Sequence, residues 1–287
     1  MHDSEYQEYS ADVPEEELEQ DDVVPVSAAS HWLALFFIFL LVFAALGGLV
    51  KVASEWKKEL VVRGFTVDGS SIIEKGEVLL RIAGYKGRNL LELDANNLKK
   101  KIEPLSYLRE AVISKELNGI VRVRIFEREP VAFTVLDGQK SVIDREGFLL
   151  PWKPAVGVRF PKLLEITGIN RLKAARNGLR QLDSRDVALI LSFLEALSET
   201  DYASMLIREL HLEGNNMSWC IAVRAPTRFI VGNDGNFKEK LKKFEIFWQK
   251  VVSKKGFGFY DTVDLRFRER IFTRDMVLPE VPQGVSQ

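Results

Sequence analysis

Trp32 to Val50 reads WLALFFIFLLVFAALGGLV, 19 residues without a charge. A helix rising about 1.5 Å per residue would carry that run roughly 28 Å, close to the ~30 Å hydrocarbon thickness of a bilayer. Trp32 and Trp56 flank it where amphipathic rings favour the interface, and Lys51, Lys57 and Lys58 stop it. The run is apolar all round, whereas a core helix of a soluble domain carries one apolar stripe. A cleaved signal peptide is the rival, given the small residues Ala44, Ala45, Gly47 and Gly48. A signal peptide needs a short basic leader and an apolar run of about 7–15 residues. The preceding segment is acidic and the run is longer, so the segment reads as an uncleaved anchor.

Charge divides at this anchor. Ten acids lie in the first 22 residues and the first cation is Lys51. All 40 Lys and Arg therefore lie beyond residue 50 with 31 of the 41 acids, leaving that part at +9. With Pro14, Pro25 and few apolar residues, positions 1–30 read as a disordered acidic tail. The cations Lys51, Lys57, Lys58 and Arg63 follow the anchor and none precedes it, so the positive-inside bias alone leans towards a cytoplasmic main domain. One cysteine, Cys220, and three scattered histidines, His2, His31 and His211, exclude an intramolecular disulfide framework and offer no ligand set.

Beyond the anchor the expected class is α+β. Leu60–Val67 suits a strand. Ser71-Ile72-Ile73-Glu74 has capping-box spacing, followed by Gly76, Leu79/Leu80 and Ala83 at helical intervals. Asp94 is the expected cap of a second helix with Leu98 and Ile102 facing inward and Pro104 near its end. Val121, Val123 and Ile125 alternate with Arg122 and Arg124, as in a sheet with one buried face. Further strands are expected at Ser141–Leu149, Lys162–Thr167, Ile207–Leu212, Trp219–Val223 and Arg228–Val231. Helices are expected after a Ser184 cap and from Phe237 to about Val252. A hairpin closes the chain, Thr262–Phe267 and Ile271–Arg274, before a flexible tail over 275–287.

No G-x-S-x-G, H-E-x-x-H, P-loop or C-x-x-C occurs. Asp68-Gly69, Asp137-Gly138 and Asn233-Asp234-Gly235 are turn chemistry. Asp144 reads as a turn former and Asp264 as an exposed strand residue near Arg266. His211 reads as a half-buried strand residue and Cys220 as core. The chain reads as a binding protein without cofactor, metal, nucleic acid or small-molecule substrate.

Five segments in order sharpen this. Phe65-Thr66-Val67-Asp68-Gly69 opens the first strand, and Asn89-Leu90-Leu91-Glu92-Leu93-Asp94 enters the second helix. Glu127-Arg128-Glu129-Pro130-Val131-Ala132, Val142-Ile143-Asp144-Arg145-Glu146-Gly147-Phe148 and Val263-Asp264-Leu265-Arg266-Phe267 follow. Together they resemble the bacterial cell division family FtsQ/DivIB. The resemblance implies a POTRA domain, β-α-α-β-β, over 60–132 after an anchor at 31–51, and a mixed β-sheet domain with flanking helices over 133–274. It reverses the charge-based orientation, placing the main domain outside the cytoplasm at the division septum of the inner membrane. It implies a divisome scaffold that captures FtsB- and FtsL-type proteins through the last strands, with FtsK-, FtsW- and FtsI-type proteins as further partners. Carried onto this chain, the contact residues are Phe267, Ile271, Phe272, Thr273 and Arg274. The chain departs from the family pattern where Arg268-Glu269-Arg270 stands in place of a glycine turn. Two rivals are a POTRA-bearing secretion or envelope-assembly factor, which usually carries repeats and a barrel, and an anchored cell-wall enzyme, which needs convergent catalytic groups.

Overall fold

The computed structural model describes residues 28–256 and 258–276. The expected acidic tail, apart from its last three residues, and all but Asp275 and Met276 of the expected C-terminal tail lie outside that range. The chain divides into two units, one ending at Glu59 and one starting at Leu60. In the first, helix α1 (Ala28–Glu59) carries an apolar span from Trp32 to Trp56 in which every side chain is exposed, so no protein core covers it. Among the described residues it is the one helix long and apolar enough to cross a bilayer. The helix outlasts the charge-free run and continues past Lys51.

The second unit is α+β. Its first part runs β1 (Gly64–Asp68), α2 (Lys75–Ile82), α3 (Ala95–Ile102), β2 (Leu108–Lys115) and β3 (Ile120–Glu127), the order expected from the resemblance. The three strands form one sheet ordered β1-β3-β2, with β1 parallel and β2 antiparallel to β3. Val121, Val123 and Ile125 are buried as their alternation requires, against Val78 and Ile82 of α2 and Leu98 and Ile102 of α3. Asp94 caps α3, its carboxylate accepting from the Asn96 amide at 2.8 Å.

Three local expectations shift. The first strand begins at Gly64 rather than Leu60, because Val62 donates to Arg88 O and Leu90 to Leu60 O, tying that backbone to a loop. The Ser71 capping box does not form. Helix α2 starts at Lys75, and Ser71 turns instead to a carboxylate 56 residues away in sequence. Glu127 accepts from the amides of Ser71, Ile72 and Ile73 at 2.8, 2.8 and 2.7 Å and from the Ser71 hydroxyl. With the start displaced, α2 buries Val78 and Ile82 and leaves Leu80 exposed.

After β3 the chain changes sheets. Strands β4 (Pro130–Leu136), β5 (Gln139–Asp144), β6 (Phe148–Pro151), β7 (Leu164–Thr167), β8 (Leu172–Ala174), β9 (Arg180–Leu182), β10 (Ile207–His211), β11 (Trp219–Ala222), β12 (Arg228–Ile230), β13 (Tyr260–Asp264) and β14 (Phe272–Asp275) build one mixed sheet. Its order is β14-β13-β12-β11-β10-β7-β4-β5-β6-β9-β8. Short helix α4 (Pro154–Arg159) follows β6. Helices α5 (Ser184–Ser198), α6 (Asp201–Leu206) and α7 (Phe237–Phe247) contribute to its core. Asp183, not Ser184, caps α5, accepting from the Arg185 amide at 3.1 Å. Helix α7 ends in a π-turn at Trp248–Val252.

Strands β5 and β6 serve two cores. Val142 and Leu150 belong to the core under the three-stranded sheet, whereas their neighbours Ile143 and Leu149 belong to that of the large sheet. The period-2 geometry of a strand sends adjacent side chains to opposite faces, so apolar pairs appear where both faces are covered. Tyr107, buried in the core under the three-stranded sheet, donates to Pro151 O at 2.7 Å, and burial pushes its phenol well up.

The crossing is stapled on both sides. Arg128 donates its amide to Tyr107 O at 2.8 Å. Its guanidinium reaches Asp144 at 2.8 Å and Glu146 at 3.0 Å and lies 3.9 Å over the Phe148 ring. Asp144 also accepts from the amides of Glu146 (3.0 Å) and Phe148 (2.7 Å), making it the turn former expected. Gly147 (φ 82°) completes the turn where a Cβ would meet Val187 Cγ2 at 2.3 Å. Burial lifts the Asp144 carboxyl above its ordinary range, although Arg128 opposes it.

For Glu127, burial works to raise the pKa, but the bonds from Ile73, Ser71 and Ile72 outweigh it and hold the carboxyl below the usual range. A carboxylate whose folded pKa is depressed contributes stability above its unfolded pKa and loses it as pH falls through the folded one. Glu127→Gln should therefore cost about 1.5–3 kcal/mol at pH 7, the range for bonds to a charged acceptor. In urea unfolding of residues 60–287, the gap from wild type should shrink as pH falls below about 4.

Candidate partner-binding edge

The large sheet ends at β14, which pairs antiparallel with β13 and has no further strand beside it among the described residues. The register sets Asp264 opposite Phe272, Val263 opposite Thr273 and Thr262 opposite Arg274. Val263 is fully buried, so β13 is the last strand rooted in the core. All four residues of β14 are exposed. An exposed edge strand offers unpaired backbone donors and acceptors to another chain.

The five residues singled out from the sequence come together here. Phe267 and Phe272 are 48% and 51% exposed, with ring centroids 4.7 Å apart at 71°. That edge-to-face pair is formed between two exposed rings rather than inside a core. Thr273 and Arg274 lie on exposed β14, while Ile271 is half-buried against the core of the large sheet. Arg268 and Arg270 are exposed in the intervening segment, on either side of Glu269, and the Arg266 guanidinium lies 5.9 Å from the centre of the Phe267 ring.

The residues leading into the first ring, 264–267, are held by two basic side chains. Arg266 donates to the Asp264 carboxylate, Nη2 at 2.6 Å, and to Asn216 O at 2.9 Å. Burial works to raise the Asp264 pKa, but Arg266 prevails and holds it low. Asp264 is thus an enclosed ion-pair partner with a 13% exposed side chain, not the exposed strand residue expected. From the opposite direction, Lys243 of α7 donates to Leu265 O and Phe267 O, each at 2.7 Å. Lys240, one turn earlier, is buried and donates to Val231 O (2.7 Å), Gly235 O (2.8 Å) and Asp234. Sequence reading passed over both lysines. Their one signal is that they share α7 with the apolar positions Leu241, Phe244 and Phe247.

Other singled-out residues are placed as expected. Cys220 is fully buried, and burial raises its thiol well above the ordinary value. His211 is half-buried, stacked on Trp219 at 4.4 Å with Nδ1 2.8 Å from Thr167 Oγ1. A cleft of about 830 Å³ lies between α3, β2 and the β8–β9 turn, lined by residues that include Lys99, Lys100, Arg109, Arg128, Glu146 and Arg176. Among the described residues no group of His, Cys, Asp or Glu is placed to hold a metal ion.

An apolar anchor helix, a β-α-α-β-β module and a long mixed sheet ending in an exposed edge define a membrane-anchored protein of α+β type with a two-sheet main unit. The family described as FtsQ/DivIB, C-terminal related, matches residues 129–273, which run from the sheet crossing to β14. The chain belongs to the FtsQ/DivIB family of cell division proteins. It is 24% identical over 244 residues to the cell division protein FtsQ of Rhodothermus marinus, covering 82% of this chain and 85% of that one. To the cell division protein DivIB of Clostridium acetobutylicum it is 22% identical over 213 residues, 72% of this chain and 80% of the relative. The FtsQ of Myxococcus fulvus is 30% identical over 175 residues, spanning 58% of this chain and 56% of the other.

Because Phe272 and Arg274 are exposed, Arg274→Glu should change stability by less than about 1 kcal/mol, and Phe272→Asp, which loses the ring pair and faces Asp264, by no more than about 2 kcal/mol. Val263→Asp, one strand inward, should unfold the large sheet by burying an unpaired charge. Urea unfolding of the three variants, followed by tryptophan fluorescence, makes the comparison.

Proposed function

We propose that this protein is a non-enzymatic scaffold of the divisome, anchored at the septum by α1 with residues 60 onward outside the cytoplasm. In this reading residues 60–132 form the POTRA domain, 133–274 the partner-capturing β-domain, and 31–51 the anchor between a cytoplasmic acidic tail and these modules. FtsB-type partners, and FtsL-type partners through them, add an extended segment to β14. The POTRA domain serves recruitment alongside FtsK-, FtsW- and FtsI-type proteins.

The observation that carries this reading is that, among the described residues, no strand pairs with the outer side of β14, with Phe267 and Phe272 exposed beside it. In strand addition the main chain supplies affinity and side-chain pockets supply specificity. The aromatic pair is the natural anchor, and Arg268, Arg270 and Arg274 favour an acidic partner segment. Thr273 and Ile271 complete the contact, the first through its exposed side chain and the second by rooting the strand. Arginines on an edge also oppose self-pairing of identical copies, which suits a strand reserved for a different chain.

Phe272→Asp should abolish pull-down of the FtsB-type ectodomain, and Arg274→Glu should weaken it roughly tenfold. Capture at wild-type strength by both folded variants rules out this edge. Orientation has its own test, since charge and family lead in opposite directions. A C-terminal reporter active only outside the cytoplasm should be active, and depletion of the protein should give undivided filaments. A reporter that functions only in the cytosol refutes the extracytoplasmic reading.

A further inference from the structure

We infer that Lys243 is a positioning residue for the capture edge, holding the chain at Leu265 and Phe267 so that the Phe267–Phe272 pair is formed before any partner arrives. The inference rests on the reading of β14 as that edge and deepens it.

The ladder between β13 and β14 ends at the Asp264–Phe272 pair, and seven residues, LRFRERI, connect the strands beyond it. The connection holds neither glycine nor proline and carries three arginines. Such a segment has no glycine or proline to set a turn, and ordering it costs conformational entropy. In place of a glycine turn, this chain supplies an ammonium. Lys243 Nζ bonds two carbonyls two residues apart, at 2.7 Å each, from a side chain only 15% exposed. Glu239, one turn away, stands 3.8 Å from the same nitrogen.

The base of this clamp is rigid. Phe244 and Phe247 of α7 pack against Phe229 of β12 at 4.8 and 6.2 Å between centroids. Lys240 fastens the same helix to Val231 and Gly235 just past β12. Helix α7 thereby fixes the chain beyond two neighbouring strands through lysines three residues apart, which lie on one helix face. Arg266 holds the intervening residue towards Asp264 and Asn216. With residues 265 to 267 held on both sides, the Phe267 ring stays over Phe272 without help from a ligand. A binding surface formed in advance loses less entropy on association than one that orders on contact.

The test uses the full-length chain in detergent micelles and, as probe, the purified ectodomain of the FtsB-type protein from the same organism. Lys243→Met should weaken binding roughly tenfold with unchanged circular dichroism, and Lys243→Arg should recover most of that loss. In a Phe272→Ala background, Lys243→Met should add less than about twofold, because a clamp acting through the aromatic pair has nothing left to position. Wild-type affinity in Lys243→Met overturns the inference, as does an undiminished loss in the Phe272→Ala background, which would mark a general structural role. Failure of both Lys243→Met and Lys243→Gln to fold would overturn it in the same way. Wild-type capture by folded Phe272→Asp would instead remove the edge reading itself, so the two failures are told apart.

Discussion

Glu127 and Arg128 are adjacent in the chain, opposite in charge, and grip different parts of the molecule. Glu127 gathers the amides of Ser71, Ile72 and Ile73 inside the three-stranded module, while Arg128 spans Asp144 and Glu146 at the turn that leads into β6 of the large sheet. Adjacent residues in extended backbone face opposite ways, which lets two neighbours serve two modules at the point where the chain leaves one sheet for the other. Burying such charges is costly unless each finds its full set of partners. Here the Glu127 carboxylate takes three backbone amides and the Ser71 hydroxyl, and Asp144 is met by Arg128 and two amides, while Arg128 Nε has no hydrogen-bond partner among the described residues. The path of β4, and with it the whole large sheet, starts from that crossing.

The sheet then carries this anchoring outward. From the crossing at β4 the order runs through β7, β10, β11, β12 and β13 to β14, each strand registered on the last. Apolar burial accompanies it as far as Val263 and Leu265, after which the side chains of β14 are exposed. Beyond Leu265 the hairpin is thus held by its ladder to β13, by half-buried Ile271 and by polar contacts from Lys243, Arg266 and Asp264. An edge built this way can remain ordered while its far side stays open. On the proposed reading that is what a docking strand requires, since a partner must find backbone groups in place but unpaired.

Membership of a cell division family and the anchor helix fit this division of labour. The bilayer needs only length and apolarity from α1, whose side chains from Trp32 to Trp56 are exposed. The specific contacts lie in the second unit, and the strand at its edge is the last one described. The matched segment, 129–273, begins just after Glu127 and Arg128, contains the Asp144 and Glu146 carboxylates that Arg128 grips, and ends within β14.

Much of the architecture was legible because it depends on local pattern. A charge-free run of bilayer length specifies a membrane helix whatever surrounds it. The alternation at Val121, Val123 and Ile125 specifies a one-faced strand, and Asp94 caps its helix through an amide two residues away. The chain order of the closing hairpin and the burial of Cys220 could be read in the same way. Tertiary structure decided what depends on partners far along the chain. Ser71 has the spacing of a helix cap, yet a carboxylate 56 residues away captures it, and the helix starts later on another face. Lys240 and Lys243 look like solvated helix charges until β12 and β13 bring carbonyls to them, and Asp264 becomes enclosed only because Arg266 folds over it. Periodicity reports which face of an element is apolar. Which distant polar group will satisfy a given charge is fixed only when the sheets close, because a buried charge must take the partner that the assembled backbone provides.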